Sequence, residues 1–221
     1  MTLVGTTLGP VLVPAIATAF LGALLSAAAE LLIFRFLPRL GQLPAPRVRI
    51  TTAAVTAALC AALTLRIGVD WALPAFLVLG VFAVQLACID LTSHLLPNPL
   101  VLGLLTAGVA LLALSSYASA DFAALLRAIA GAAVLFVVYL ALALVSPSGI
   151  GMGDVKLAAP VGLYLGYLGW SEIFYGGALG FVLSGILSAI LVASKRRTSK
   201  AEVAFAPSML AALVGTILAA Y

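Results

Sequence analysis

The sequence predicts an all-α polytopic membrane protein: a bundle of about eight transmembrane helices forming one domain across residues 1–221. Three observations lead there. Hydrophobic residues make up 65% of the chain and charged residues only 8%, against roughly a quarter charged in a soluble domain. The mean hydropathy is +1.29. The apolar residues fall in long runs separated by short polar breaks. Too few polar side chains remain to coat a water-soluble fold, which excludes a soluble enzyme, a disordered tail and a nucleic-acid-binding module. Within a bilayer, helices satisfy their own backbone hydrogen bonds.

In chain order, the runs predict spans over residues 10–37, 50–67, 72–89, 99–116, 123–145, 155–169, 173–194 and 205–220. The first is long and lacks a preceding basic region, unlike a secretory leader. Pro38, Pro44 and Pro46 separate it from the second, Pro97 and Pro99 separate the third from the fourth, and Ser146-Pro147-Ser148-Gly149 ends the fifth. The sixth is short for a ~30 Å hydrocarbon layer and contains Pro160, so it is expected to be broken, tilted or buried by its neighbours. On the seventh, Gly176, Gly180, Ser184 and Ser188 recur every four residues, as packed membrane helices require; Gly22, Ser26 and Glu30 repeat that spacing on the first and place Glu30 inside the bundle.

The charges orient the bundle. Loops 1–2, 3–4, 5–6 and 7–8 hold Arg35, Arg39, Arg47, Arg49, Lys156, Lys195, Arg196, Arg197 and Lys200, and the other side holds Arg66 and Arg127. Basic residues accumulate on the cytoplasmic side, so those four loops are expected there and both termini outside. The net charge of +4 therefore reports topology and not a nucleic-acid surface. Cys60 and Cys88 lie 28 residues apart in apolar runs and form no Cys-x-x-Cys pair, so they read as small buried residues and not as metal ligands or a redox motif.

Of seven acidic residues, Asp70, Asp121 and Glu172 fall in outside loops, and Glu202 flanks a basic loop. Glu30 is expected to pair with a cation near the cytoplasmic boundary, since an unpaired charge in a membrane costs at least ~2.5 kcal/mol. Asp90 and Asp154 differ. Asp90 closes an uninterrupted apolar run and is followed by Ser93-His94-Leu95-Leu96-Pro97-Asn98; Asp154 follows Gly149-Ile150-Gly151-Met152-Gly153 and opens the next run. The topology sets both at cytoplasmic span ends, at similar depth. Two such carboxylates suit acid–base hydrolysis of a peptide bond, one taking a proton from water while the other donates to the carbonyl oxygen; close like charges share a proton.

The segment Gly151-Met152-Gly153-Asp154-Val155-Lys156 resembles the Gly-x-Gly-Asp region of type IV prepilin peptidases. Ile89-Asp90 followed by Leu96-Pro97-Asn98 is similar to that family's first acidic motif, Phe205-Ala206-Pro207-Ser208 to its last-span entry (with Ala206 where the family has glycine), and the run from Gly22 to Pro38 to its first span. Two acidic motifs on one side, 64 residues apart within eight spans, make the resemblance specific.

It implies a multi-pass aspartic endopeptidase of the inner (cytoplasmic) membrane, in contact with the lipid bilayer, that removes short basic leaders from prepilins or pseudopilins of type IV pilus and protein secretion systems. Cleavage is implied at the cytoplasmic face, after a glycine, without a metal or other cofactor. Asp90 and Asp154 match the catalytic pair. Gly151 and Gly153 would leave room for an extended substrate backbone, and Pro97 and Asn98 would help shape the site. Lys156 has two readings: it holds Asp154 ionised, or it snorkels to lipid phosphates. His94 reads as structural or solvated. Many family members carry a large cysteine-rich cytoplasmic insertion, with methyltransferase activity, after the first span; the interval from Pro38 to Arg49 has no cysteine, so the compact form without methylation is expected. The resemblance names neither substrate nor oligomeric state.

Other classes compete. A proton- or cation-coupled transporter could use Asp90 and Asp154, but it would not require Gly-x-Gly before one of them and would favour internal repeats, of which none is convincing. Another Gly-x-Gly-Asp protease would commonly pair the motif with Tyr-Asp, whereas Ile89 precedes Asp90. A structural assembly subunit ranks last.

Overall fold

The computed structural model describes residues 9–37, 43–146, 150–193 and 204–221. These form eight α-helices: α1 (Gly9–Phe36), α2 (Pro46–Ile67), α3 (Leu73–Ser93), α4 (Asn98–Ser119), α5 (Phe122–Val145), α6 (Met152–Leu168), α7 (Trp170–Ala193) and α8 (Ala206–Ala220). A helix lies in each of the eight expected spans. The chain is an all-α polytopic membrane protein, with six helices long and apolar enough to cross a bilayer. Arg39, Lys195, Arg196, Arg197, Lys200 and Glu202, used above for topology, lie outside the described residues, as do Pro38 and Pro147 to Gly149.

The sixth span is continuous. At 17 residues α6 reaches only ~25 Å, yet it runs unbroken through Pro160. Of the three expected outcomes, burial by its neighbours is the one found: α4, α5, α7 and α8 all pack on it, and Leu157, Leu163, Tyr164 and Leu165 have no exposed surface. Its backbone touches that of α5. A methyl group added at Gly131 would lie 2.5 Å from the Gly162 carbonyl oxygen, and one at Gly166 would lie 2.6 Å from that of Arg127. Glycine there lets two helices approach at backbone distance. The C-terminal end of α6 is closed by Arg127, whose guanidinium donates to the carbonyl oxygens of Gly166 (2.7 Å), Tyr167 (2.8 Å) and Leu168 (3.2 Å). These are the orphan acceptors of a helix C-terminus.

Asp121 and Asp70, expected in outside loops, act as local caps. Asp121 accepts from the Ala124 amide at the start of α5, and Asp70 from that of Ala72 before α3.

Helix α1 docks through its expected inward face. Gly22 abuts Cys60, Ser26 accepts from the Gln85 side chain at 3.0 Å, and Thr18 bonds Thr64 at 2.7 Å. Glu30 is buried and paired: its carboxylate accepts from Arg49 Nε at 3.2 Å and from the Thr52 hydroxyl. The cation comes from α2, so the pair ties the C-terminal end of α1 to the N-terminal end of α2. On α7 the small-residue face holds only in part. Gly176 and Gly180 are buried against Leu165 and Met209, while Ser184 and Ser188 remain half-exposed.

Candidate active site

One end of the bundle gathers the C-termini of α3 and α5 with the N-termini of α4, α6 and α8. Asp90 lies in the last turn of α3. That turn ends where the Thr92 and Ser93 hydroxyls donate back to the Cys88 and Ile89 carbonyls, and where His94 takes a left-handed conformation (φ 51°) with its amide on Asp90 O at 2.9 Å. His94 is therefore the C-cap that turns the chain out of α3. The loop then reaches Pro97, whose extended backbone caps α4.

Asp154 is the third residue of α6. Its amide bonds the carbonyl of Gly151, the N-cap, at 3.0 Å, and its carboxylate reaches back to the Gly151 N–H. The carboxylate thus faces the N-cap amide as the N3 acid of a capping box does, and it sits where the helix dipole favours negative charge.

Asp90 and Asp154 meet at this end, each within electrostatic reach of the other. Asp90 is 6% exposed. The first backbone amide of α8, that of Ala206, faces its carboxylate, and its Oδ2 has no hydrogen-bond partner among the described residues. Asp154 is half-buried.

The glycines divide. Gly151 is exposed and its open side meets only the Asp154 carboxylate, whereas a methyl group at Gly153 would lie 3.0 Å from Leu96 Cβ. The room expected beside Gly153 for a substrate backbone is thus taken by the chain's own Leu96. Lys156 is exposed and donates to Asn98 Oδ1 at 3.0 Å; no ion pair joins it to Asp154 among the described residues.

Two groups at this end escape sequence reasoning. Tyr139 on α5 is 1% exposed, its hydroxyl has no partner among the described residues, and it senses the Asp154 charge. It stacks with Phe181 (4.9 Å) and Phe205 (6.0 Å). That aromatic cluster fixes the entry to α8 and with it the Ala206 amide. The only sequence signal for Tyr139 is a hydroxyl in an otherwise apolar span; for Ala206 there is none, because the contacting group is backbone.

The model of the type IV leader peptidase family matches residues 76–194, more than half of the sequence. The chain belongs to that family. It is also 30% identical over 153 residues to a prepilin leader peptidase/N-methyltransferase of Xanthomonas campestris pv. campestris, an alignment covering 69% of this chain and 52% of the relative. The chain thus spans about half the length of the curated relative it matches. No solved structure matches it significantly. Within the leader peptidase match fall Asp90, Asp154, Tyr139 and the Gly151–Gly153 turn; the α8 end that faces Asp90 lies beyond it.

Proposed function

We propose that the protein is an aspartic endopeptidase that removes the short basic leader from type IV prepilins or pseudopilins. It would cut after a glycine at the cytoplasmic face of the inner membrane, with Asp90 and Asp154 as the catalytic pair. The observation that carries this reading is the meeting of two acidic motifs, 64 residues apart in sequence, at one end of the bundle within mutual electrostatic reach. Membership of the leader peptidase family supports the substrate class.

In the proposed reaction one carboxylate of the pair takes a proton from water, whose oxygen attacks the scissile carbonyl carbon. The other, protonated, donates to the carbonyl oxygen. Collapse of the tetrahedral diol breaks the C–N bond, and the pair returns a proton to the leaving amine. Asp90 Oδ2, buried and without a partner among the described residues, keeps its lone pairs for a water admitted with the substrate. Lys156 and Asn98 would hold the two motif loops together, Pro97 would start α4 beside them, and Gly151 would leave space for the extended junction.

The test is incubation of the purified protein, in detergent or liposomes, with a prepilin carrying a Gly–Phe or Gly–Met junction. The expected result is a single cut after the glycine, read by mass spectrometry; an intact prepilin overturns the reading.

A further inference from the structure

Between α2, α3 and α8 the bundle leaves an open groove of about 540 Å³. Its lining comes from the N-terminal halves of α2 and α8 and the C-terminal half of α3, the same end that holds Asp90. At the opposite end α2 and α8 are pinned together, Arg66 Nε donating to the Leu218 carbonyl at 2.8 Å. The groove is therefore closed at that end and runs from it toward the aspartates. Along α2 it extends from Val48 to Leu59, ~16 Å or about three helical turns.

Its course leads to the candidate catalytic residue. Ala83 and Ala87 line it, and Asp90 continues their stripe on α3 by the helical offsets of four and three residues. Pro207 lines the facing wall, next to Ala206, whose amide faces the Asp90 carboxylate. The walls are apolar, with Thr51, Thr52 and Thr92 at the aspartate end. Alanines on α3 and α8 keep them shallow, as close helix approach in a membrane requires. Walled by three helices and open on its remaining side, the groove accepts one face of a helix and leaves the other to lipid.

We propose that this groove seats the first three turns of the substrate's hydrophobic helix, directly after the scissile bond, and so delivers the junction to Asp90. The assignment rests on the peptidase reading above and adds to it where the uncut helix docks. A helix lying in the groove has its cytoplasmic end at the level of the aspartates, and the chain preceding it must leave the groove past Pro207 and Asp90. The position of the cut would then be set by how far the helix slides toward the closed end.

Cys88 lines the groove and Cys60 is buried, so the native chain carries its own probe. The Asp154→Asn chain in liposomes is mixed with prepilins bearing one cysteine at successive positions after the junction and treated with a short bis-maleimide. Cross-links to Cys88 are expected only from positions recurring every three or four residues within the first three turns. They should be lost with Cys88→Ser and reduced about tenfold by Ala211→Phe, which fills the groove. Equal cross-linking at every position overturns the proposal, as does none, or a product joining Cys88 of two copies, while the unaltered chain still cleaves the same prepilins. If the unaltered chain leaves those prepilins intact, the peptidase reading fails first and the docking assignment with it.

Discussion

The Lys156 ammonium donates to the side-chain oxygen of Asn98 at 3.0 Å and so bridges the second turn of α6 and the first residue of α4. It joins the segment after Asp154 to the segment after Asp90. Replacing either residue with Ala is expected to cost about 0.5–1 kcal/mol of stability, the scale of an exposed hydrogen bond. Because both substitutions remove the same bond, the double variant should cost little more than either single one. A double-mutant cycle on thermal unfolding in detergent checks this; full additivity would mean that the bridge contributes nothing.

The paired acids carry the sharpest expectation. Asp90→Asn and Asp154→Asn are nearly isosteric, keep the fold and cannot exchange a proton. Each is expected to lower cleavage by at least about a thousandfold, within the range for a lost general acid or base, with unchanged membrane insertion and helix content. Substantial cleavage by either variant would remove the aspartic mechanism.

Gly153 and Leu96 test the local architecture independently of chemistry. Leu96 atoms lie 3.0–3.1 Å from where a Cβ at Gly153 would sit. Gly153→Ala is therefore expected to push the loop after α3 away from α6 and to destabilise the protein by about 1–3 kcal/mol. The nearest clashing atom is Leu96 Cβ, which only glycine removes, so Gly153→Ala with Leu96→Gly is expected to lose less than the two single variants summed. Gly151→Ala, at an open position, should unfold like the native protein.

The contrast between these glycines shows how much of the molecule was legible in the sequence. Helix number and order follow from apolar runs and turn residues, because lipid permits few other backbones. The inward face of Glu30 follows from its spacing to Gly22 and Ser26, but its partner Arg49 is 19 residues away across a helix contact that no local pattern encodes. The continuity of α6 through Pro160 was equally hidden, since it depends on four neighbouring helices replacing lipid around a short span. At the site, the two aspartates stand out as rare charges ending apolar runs. The Ala206 amide does not, because every residue has one and only the packing of Phe205 on Phe181 and Tyr139 aims it.

Sidedness is testable apart from function. The Asp90 and Asp154 loops lie at one end of the bundle with Arg49 and Lys156, and Asp121 lies at the other. A reporter inserted near Thr198, outside the described residues, is expected to be cytoplasmic and one near Asp121 external. The opposite pattern would put the aspartates on the outer side, away from a cytoplasmic leader.

The last prediction concerns the substrate's own glycine. A peptide bond within a helix holds its carbonyl in a hydrogen bond to the amide four residues on, so the junction must leave helical geometry before water can attack it. Glycine before the cut weakens the helix there by up to about 1 kcal/mol and adds no bulk. Bulk matters because Leu96 fills the space at Gly153, leaving the open approach at Gly151 beside the Asp154 carboxylate. A junction with Val in place of Gly is expected to resist cleavage, since its branched side chain must fit against Gly151 at the depth where Asp90 is buried. Ala, one methyl larger than Gly, should be cut more slowly but measurably. Changing the leader's charge should alter the rate less, because charge governs approach to the membrane and not geometry at the bond. Steady-state rates for Gly, Ala and Val junctions in detergent decide it: a Val junction cut as fast as Gly would mean that the site makes no demand for a small residue there.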